Sequence, residues 1–306
     1  MTASNAIVIF SQSSFARDHS TQGPAALDSR HRTLLLAGAG DLGTRTGKLA
    51  RHHEWPVIGL RRHIPLEDNS GIEWVEADLS EPTSLRLKHR KITHVLYAVS
   101  PDQRSQAAYE RVFLQGLENL LNELDLKALK RFVFVSSSAV YGPSNEWVDE
   151  NSPTEPTQFN GQVLLEAEQL LHHRIPAQAV VIRPSGLYGP GRTQLLDRLR
   201  EGRATVPDNP EHWANRLHIE DAARACWHLL RTPAPFPCYI GTDSRPYRIT
   251  ELYDGLADLL EVAHPERRQS NEGGKRLSNQ RLLDSGFQLD WPDALQGYAQ
   301  LIKDGA

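Results

Sequence analysis

The sequence contains few cysteines and no metal-binding pattern built on them. Only two cysteines, Cys226 and Cys238, occur among the 306 residues. They fit neither a disulfide framework, which needs several pairs in a short chain, nor a paired C-x-x-C metal site. The histidines, His218 among them, show no metal-like spacing with carboxylates, which argues against a zinc site. We therefore expect a protein of the reducing cytoplasm that holds no metal.

The chain also lacks a long apolar run and an excess of charge of one sign. No stretch approaches the roughly 20 apolar residues of a membrane helix, and the run at 6–10 is too short for a signal-peptide core. With 34 basic and 38 acidic residues, the net charge is −4 and is spread along the chain. These absences argue against nucleic acid or a membrane as partner and favour a small-molecule substrate.

Short apolar runs alternate with segments of helix length from residue 33 onward. The runs predict six buried strands, at 33–37, 56–60, 72–75, 93–98, 132–135 and 179–182. The clearest helix spans about 104–124, where apolar residues recur at spacings of three and four. Strands that alternate with helices predict an α/β fold, a Rossmann-type doubly wound parallel sheet.

The same pattern predicts three parts of the chain. Residues 1–31 show no hydrophobic period and predict a flexible N-terminal arm. Residues 32–190 carry the six strands and form the predicted Rossmann domain. After Pro190 helical segments dominate, at about 193–201, 219–231, 249–262 and 291–303, so we expect 191–306 to form a smaller, mostly helical part that covers the substrate.

A glycine run follows the first strand and opens a helix. Gly38, Gly40 and Gly43 match the pattern G-x-G-x-x-G in the strand, turn and helix context that gives this pattern its meaning. Glycines permit a tight turn and let backbone N–H groups approach a pyrophosphate at the positive end of the helix dipole. We therefore expect residues 32–190 to bind NAD(P), with Gly38, Gly40, Asp41, Leu42 and Gly43 holding the cofactor.

The end of the second strand indicates which dinucleotide is bound. An NAD site places an acidic residue there for the ribose 2′-hydroxyl, whereas this chain has Arg61 and Arg62. The planar donor fork of arginine suits a 2′-phosphate. This pattern favours NADP(H), with NAD(H) still possible; the alternative interpretation is that the two arginines form a solvated strand end.

Further motifs carry a resemblance to a known family. Two weak signals are Asp78 and Leu79 after the third strand, and the loop Ala98, Val99 and Ser100 after the fourth. Three stronger motifs occur in order: Val-Ser-Ser-Ser-Ala-Val-Tyr-Gly at 135–142, Arg-Pro-Ser-Gly-Leu-Tyr-Gly-Pro-Gly at 183–191 and Asn-Arg-Leu-His-Ile-Glu-Asp at 215–221.

From residue 33 onward the chain resembles the extended short-chain dehydrogenase/reductase superfamily of NAD(P)-dependent epimerases and dehydratases. The stretch 276–287 looks like an atypical branch that tends to lack the usual active-site residues. The resemblance implies cofactor contacts at Asp78, Leu79, Ala98, Val99, Ser100 and Pro184.

The usual acid–base pair of that superfamily is missing. The resemblance places Asn160 where the catalytic tyrosine stands and Leu164 where its lysine stands, and a shift of one residue gives Phe159 and Val163 instead. Neither alignment supplies a group that moves a proton. The helix asparagine of the family falls on Phe113.

Some chemistry-bearing residues are retained. Ser137 stands four residues before Tyr141, the family's spacing for the hydroxyl that polarises the substrate, whereas Tyr141 itself is expected to be structural. Tyr188, which the resemblance places at the nicotinamide end, is the first candidate for the proton donor. Tyr97 and Tyr109 are further candidates; for all three the alternative interpretation is a packed aromatic ring.

Other residues point to ligands and partners. Arg192 and Arg216 flank the expected substrate cleft and suit a phosphate or carboxylate. Helices 104–124 and 160–173 correspond by resemblance to a dimer interface, which makes a homodimer plausible.

Two functions remain open on the sequence alone. The first is an NADP(H)-dependent oxidoreductase, epimerase or dehydratase with a non-standard active site, acting on a small polar or sugar-nucleotide-like metabolite. In this hypothesis Ser137 polarises a carbonyl. The second is a catalytically silent NADP(H)-binding sensor or scaffold.

Overall fold

The structure is a computed structural model that describes residues 32–270 and 273–305. The predicted arm at 1–31 lies outside the described residues. Fifteen strands are described, β1 to β15 in chain order: Leu34–Ala37, Val57–Arg61, Glu73–Glu76, His94–Tyr97, Arg131–Val135, Trp147–Val148, Ala179–Pro184, Gly186–Tyr188, Thr205–Pro207, Trp213–Ala214, Arg216–His218, Cys238–Gly241, Tyr247–Arg248, Glu266–Arg268 and Arg276–Leu277. The described α-helices, α1 to α9, are Asp41–His52, Gln106–Glu110, Gly116–Glu123, Phe159–Arg174, Gln194–Arg200, Ile219–Arg231, Ile249–Leu260, Gln280–Asp284 and Ala294–Lys303.

Seven of the strands form one parallel sheet, in the order β12-β7-β5-β4-β1-β2-β3. The chain starts at β1 in the middle, adds β2 and β3 on one side, and then crosses to β4 on the other. The sheet order therefore reverses between β1 and β4, the point where open α/β sheets bind their ligands. The predicted doubly wound sheet is confirmed, and its six predicted strands all lie in it.

The apolar strands are buried because helices cover both faces of the sheet. Along β1, Leu35 and Ala37 pack into the core under α3 and α4, while Leu34 and Leu36 pack into the core under α1 and α6. Side chains alternate between the faces of a strand, so an uninterrupted apolar run is the pattern that a doubly covered strand requires.

The seventh strand, β12, comes from the part of the chain after Pro190 and was not predicted. It pairs with β7 in parallel register, Cys238 opposite Val181 and Gly241 opposite Pro184. Helix α6, which precedes it, contributes to the core on the α1 face. The sequence after Pro190 therefore completes the sheet as well as forming a third apolar cluster of its own, built on α5, α7 and α9.

The helix predicted at 104–124 is interrupted by a wider turn. A π-helical segment, Arg111–Gln115, lies between α2 and α3. Such segments carry an additional residue per turn and occur often at functional sites. Within the described residues, no helix combines the length and the apolar character that a bilayer crossing requires.

Candidate functional site

A cleft of about 520 Å³ lies along the carboxyl ends of the central strands. It brings together nearly all the residues that the sequence suggested for the cofactor, although they come from five separate strand ends. Its lining includes Gly38, Gly40, Asp41, Leu42, Arg61, Arg62, Asp78, Leu79, Ala98, Val99, Ser100, Ser137 and Pro184. Gly43 lies behind this surface, where a Cβ atom would stand 2.6 Å from the carbonyl oxygen of Gly38.

The glycine run forms a tight turn that leaves space in front of it. Gly38 has a left-handed φ of +84°, and a Cβ atom there would lie 2.6 Å from Cγ1 of Val99, so only glycine fits. A Cβ atom on Gly40 would meet nothing within 4 Å. Gly40 is the N-cap residue of α1 and has no side chain with which to cap the first N–H groups of the helix. The turn thus offers room and backbone donors for an anionic group, as a dinucleotide pyrophosphate requires.

Asp41, the first residue of α1, is held between two arginines. Arg45 donates to its carboxylate at 2.6 Å and Arg192, from the loop after β8, donates to it at 2.9 Å. Burial alone would raise the pKa of Asp41, but the hydrogen bonds from Arg45 and Arg192 outweigh this effect and lower the pKa. The two cations offset a carboxylate that would otherwise repel a phosphate beside the glycine turn.

Three more arginines line the cleft besides Arg192. Arg61 is the last residue of β2, Arg62 follows it, and Arg111 begins the π-helical segment. The Arg61 guanidinium lies 5.9 Å from the ring centroid of Trp74. Arg62 donates through both terminal nitrogens to the two carboxylate oxygens of Asp102, at 2.5 and 2.6 Å. This pairing partner, in the loop after β4, was not expected from the sequence.

Helix α4 presents the positions where the usual acid–base pair would stand. Leu164 lines the cleft and is buried. Asn160, one turn earlier, has a buried Oδ1 atom without a hydrogen-bond partner among the described residues. The position that the resemblance assigns to the lysine thus holds a hydrocarbon side chain that lines the cleft.

Ser137 has its hydroxyl oriented by the backbone. Its Oγ atom accepts a hydrogen bond from the N–H of Ala139 at 3.1 Å, which leaves the O–H proton to donate elsewhere. The preceding Ser136 donates to Glu168 at 2.5 Å, and Glu168 also accepts from Arg183 at 2.6 Å. The buried ion pair of Glu168 and Arg183 fixes the end of β5 against α4 and β7, next to Ser137.

Tyr141 and Arg216, both considered from the sequence, have structural contacts. The Tyr141 hydroxyl accepts a hydrogen bond from Arg183 at 2.5 Å within the buried network. Arg216 is not among the residues that line the cleft, and it donates to the neighbouring backbone oxygen of Asn215. Of the two arginines suggested for the substrate, Arg192 alone reaches the cleft.

The structure does not place Tyr188 among the residues that line the cleft, so its geometry does not support the suggested role as proton donor, which stays a prediction. Its side chain is 1% exposed, its ring stacks on Tyr298 with centroids 4.2 Å apart, and its hydroxyl has no partner among the described residues. On strand β8 it is Leu187 that lines the cleft. Because side chains alternate along a strand, Tyr188 points to the other side.

Tyr109 is the tyrosine that does line the cleft. It belongs to α2, and its ring centroid lies 5.4 Å from that of Phe159, the first residue of α4 and the neighbour of Asn160. Tyr97, by contrast, is fully buried and donates to the backbone oxygen of Val112 at 2.6 Å. The sequence had offered Tyr109 only as one of several aromatic residues.

No metal arrangement is found in the part of the chain that the structure describes. No group of three or more His, Cys, Asp or Glu side chains is placed there to hold a metal ion. His218 is buried, and burial lowers its pKa to about 4.

Comparisons with known proteins show the family to which the chain belongs. The model of the NAD dependent epimerase/dehydratase family matches residues 34–239. Protein YeeZ of Escherichia coli (strain K12) is 33% identical over 279 residues, which cover 86% of this chain and 98% of YeeZ.

Among solved structures, an NAD-dependent epimerase/dehydratase family protein from Methylobacillus flagellatus has a TM-score of 0.76 and 32% identity, covering 90% of this chain and 98% of its own. A short-chain dehydrogenase/reductase superfamily protein from Agrobacterium tumefaciens with bound NAD shares the fold, with a TM-score of 0.75, 20% identity and coverage of 89% and 98%. This chain belongs to the NAD dependent epimerase/dehydratase family.

Proposed function

We propose that the protein binds NADP(H) in this cleft and acts as an oxidoreductase, epimerase or dehydratase on a small polar or sugar-nucleotide-like metabolite. The observation that carries the proposal is the continuous lining from the glycine turn to Arg61 and Arg62 at one end and to Ser137 at the other. When bound, the nicotinamide supplies or accepts the hydride. The protein's own residues orient the two ligands and handle the accompanying proton.

The arginines at the end of β2 support NADP(H) over NAD(H). The Agrobacterium tumefaciens relative holds NAD, but at 20% identity it informs the fold and not the cofactor preference. In this chain, the position that would hold an acidic residue in an NAD site is filled by Arg61 and Arg62. A dianionic 2′-phosphate gains from two guanidinium groups, whereas a ribose hydroxyl gains little.

Ser137 and Tyr109 are the groups we assign to the substrate. Ser137 donates its O–H to a substrate carbonyl, since its lone pair already accepts from Ala139. Tyr109 replaces the missing tyrosine from a different helix, because it lines the same cleft beside Phe159 and Asn160. Arg192 also lines the cleft, and its terminal nitrogens suit a phosphate or carboxylate of the substrate while its Nε atom donates to Asp41.

The cofactor proposal is tested by the double variant Arg61→Ala, Arg62→Ala. Calorimetric titration with NADP+ and NAD+ separately should show a loss of NADP+ affinity of at least about thirtyfold, about 2 kcal/mol for two charge-assisted contacts, and little change for NAD+. Equal losses for both dinucleotides would contradict the assignment.

A silent NADP(H)-binding sensor is the second candidate function, and Leu164 favours it. A buried leucine that faces the ligand space cannot lower the pKa of a neighbouring phenol as the family lysine does. The two functions separate on a panel of sugar nucleotides, aldehydes and ketones followed by nicotinamide absorbance. Turnover that falls about a hundredfold in Tyr109→Phe, with NADP(H) affinity unchanged, supports the enzyme; tight binding without turnover on any compound supports the sensor.

A further inference from the structure

The ion pair between Arg62 and Asp102 joins two loops that the sheet keeps apart. Arg62 follows β2, and Asp102 lies in the loop after β4, with β1 and its glycine turn between the two strands. Arg62 and the residues Ser100 and Pro101 line the same cleft. The pair therefore connects opposite walls of the cleft at the end we assign to the adenosine ribose.

The geometry of the pair is the geometry with which arginine binds a phosphate. Both terminal nitrogens of Arg62 donate to the two oxygens of Asp102, at 2.5 and 2.6 Å, as in a fork-to-fork contact. Arg62 cannot offer these two donors in the same orientation to Asp102 and to a second anion. A 2′-phosphate at this place and the Asp102 carboxylate therefore compete for one guanidinium.

The pair is also exposed enough to exchange partners easily. The side chains of Arg62 and Asp102 are 49% and 48% exposed, so water solvates either group when the pair opens. Exposed pairs of this kind contribute little to stability. The hydrogen bond from Arg62, together with the nearby charge of Arg111, lowers the pKa of Asp102, so the carboxylate is ionised across the neutral range.

We propose that Asp102 sets the preference between the two dinucleotides. When NADP(H) binds, Arg62 releases Asp102 and pairs with the 2′-phosphate. When NAD(H) binds, the pair between Arg62 and Asp102 stays intact. This inference rests on the proposed function, in which Arg62 meets the 2′-phosphate. Opening the pair of Arg62 and Asp102 costs free energy, so Asp102 weakens the binding of NADP(H). NAD(H) does not open the pair, so its binding is unaffected. Its removal widens the preference for the phosphorylated cofactor.

The test is Asp102→Asn, which keeps the shape of the side chain and removes its charge. Calorimetric titrations with NADP+ and with NAD+ should show an NADP+ dissociation constant about fivefold lower than that of the wild type, the ratio expected from an exposed ion pair. The NAD+ constant should change less than twofold. In an Arg62→Ala background the same substitution should have no effect on NADP+.

Glu73→Gln is the matched control. Glu73 accepts from Arg90 at 2.5 Å in an exposed pair that does not line the cleft, so the variant makes the same change of net charge elsewhere. A gain in NADP+ affinity in both Asp102→Asn and Glu73→Gln would be a general charge effect and would overturn the inference. An unchanged ratio of the NADP+ and NAD+ dissociation constants in Asp102→Asn would overturn it as well.

Failure of this inference is distinguishable from failure of the proposed function. If the Arg61 and Arg62 double variant loses NADP+ selectively while Asp102→Asn leaves the ratio unchanged, the cofactor assignment stands and the role of Asp102 is wrong. If the double variant loses both dinucleotides equally, the cofactor assignment itself is wrong. Should Asp102→Asn not fold, Asp102→Ser carries the same comparison.

Discussion

Two regions of the cleft are built differently. The region around the glycine turn, which we call the dinucleotide end, is shaped by backbone. The region around Ser137, Tyr109 and Leu164, where we propose that the reaction occurs and which we call the reaction end, is shaped by side chains. The dinucleotide end depends on Gly38, whose left-handed φ and close approach to Val99 admit no other residue. The reaction end depends on single functional groups, and the resemblance assigns Asn160 and Leu164 to the positions of the family's tyrosine and lysine. A turn that many contacts determine resists change, whereas a proton donor can be lost or moved to another helix by single substitutions.

The largest effect is expected from Gly38→Ala, which attacks the backbone of the dinucleotide end. The left-handed φ of an alanine here destabilises the folded state by about 1 kcal/mol. The methyl group forced against Val99 destabilises it by about 1–3 kcal/mol more. We expect a loss of 2–4 kcal/mol in unfolding free energy, about the sum of these two costs, and a loss of dinucleotide binding. Urea denaturation measures the first and calorimetry the second.

Gly286→Ala separates the two costs of that substitution. Gly286 also has a left-handed φ, +90°, but a Cβ atom there would meet nothing within 4 Å. It should lose only about 1 kcal/mol and keep its dinucleotide affinity. Equal destabilisation in the two glycine variants would show that the close approach to Val99 is unimportant, and the contrast between the two ends would weaken.

An intermediate effect is expected from Asp243→Asn, at a buried carboxyl whose charge acts on Tyr188. Burial raises the pKa of Asp243 to about 8 from an ordinary 3.8, and the charge of Asp243 in turn adds to the burial that raises the pKa of Tyr188. Between these two values the unfolded chain ionises and the folded chain holds its proton, so the stability of the folded protein falls as pH rises through this range.

The asparagine variant lacks this ionisation, so its melting temperature should rise relative to that of the wild type from pH 5 to pH 8. Thermal unfolding of both proteins at several pH values measures the difference. Parallel melting curves at every pH would show that Asp243 ionises normally in the folded protein and that this region tolerates charge.

The smallest effect is expected from Tyr188→Phe. The Tyr188 hydroxyl is buried without a partner among the described residues, so its removal should leave the unfolding free energy unchanged or raise it by up to about 1 kcal/mol. Tyr141→Phe is the matched control, because it removes a hydroxyl that accepts from Arg183 and should cost about 1–3 kcal/mol. A large loss of turnover in Tyr188→Phe would return the catalytic role to this residue.

Most of the fold could be predicted because its strands are continuous apolar runs. All six runs that the sequence showed lie in the sheet, with ends that differ by a residue or two. Strand β12 could not be predicted in this way, since Cys238–Gly241 is short and follows a proline-rich turn. What makes it a strand is its pairing with β7, more than fifty residues earlier, which no local pattern reveals.

The candidate site was predictable where a motif fixes the backbone and not where side-chain direction decides. The glycine turn and its neighbouring strand ends follow from local sequence. The direction of Tyr188 could not be predicted, because it depends on the register of β8 with β11, Tyr188 opposite His218, in which Leu187 lines the cleft. Asp102 escaped notice because its partner Arg62 is forty residues away and meets it only through the order of the sheet.

The π-helical segment Arg111–Gln115 sets the directions in which the side chains before it and after it point along one helix. An α-helix turns by about 100° per residue, so the additional residue in the wide turn rotates everything before it by that angle relative to everything after it. Leu117 and Leu120 thereby face the sheet while Tyr109, upstream, lines the cleft. Deletion of one residue within the segment would keep the helix and its composition but turn Tyr109 away from the ligand, so the number of residues here matters as much as their identity.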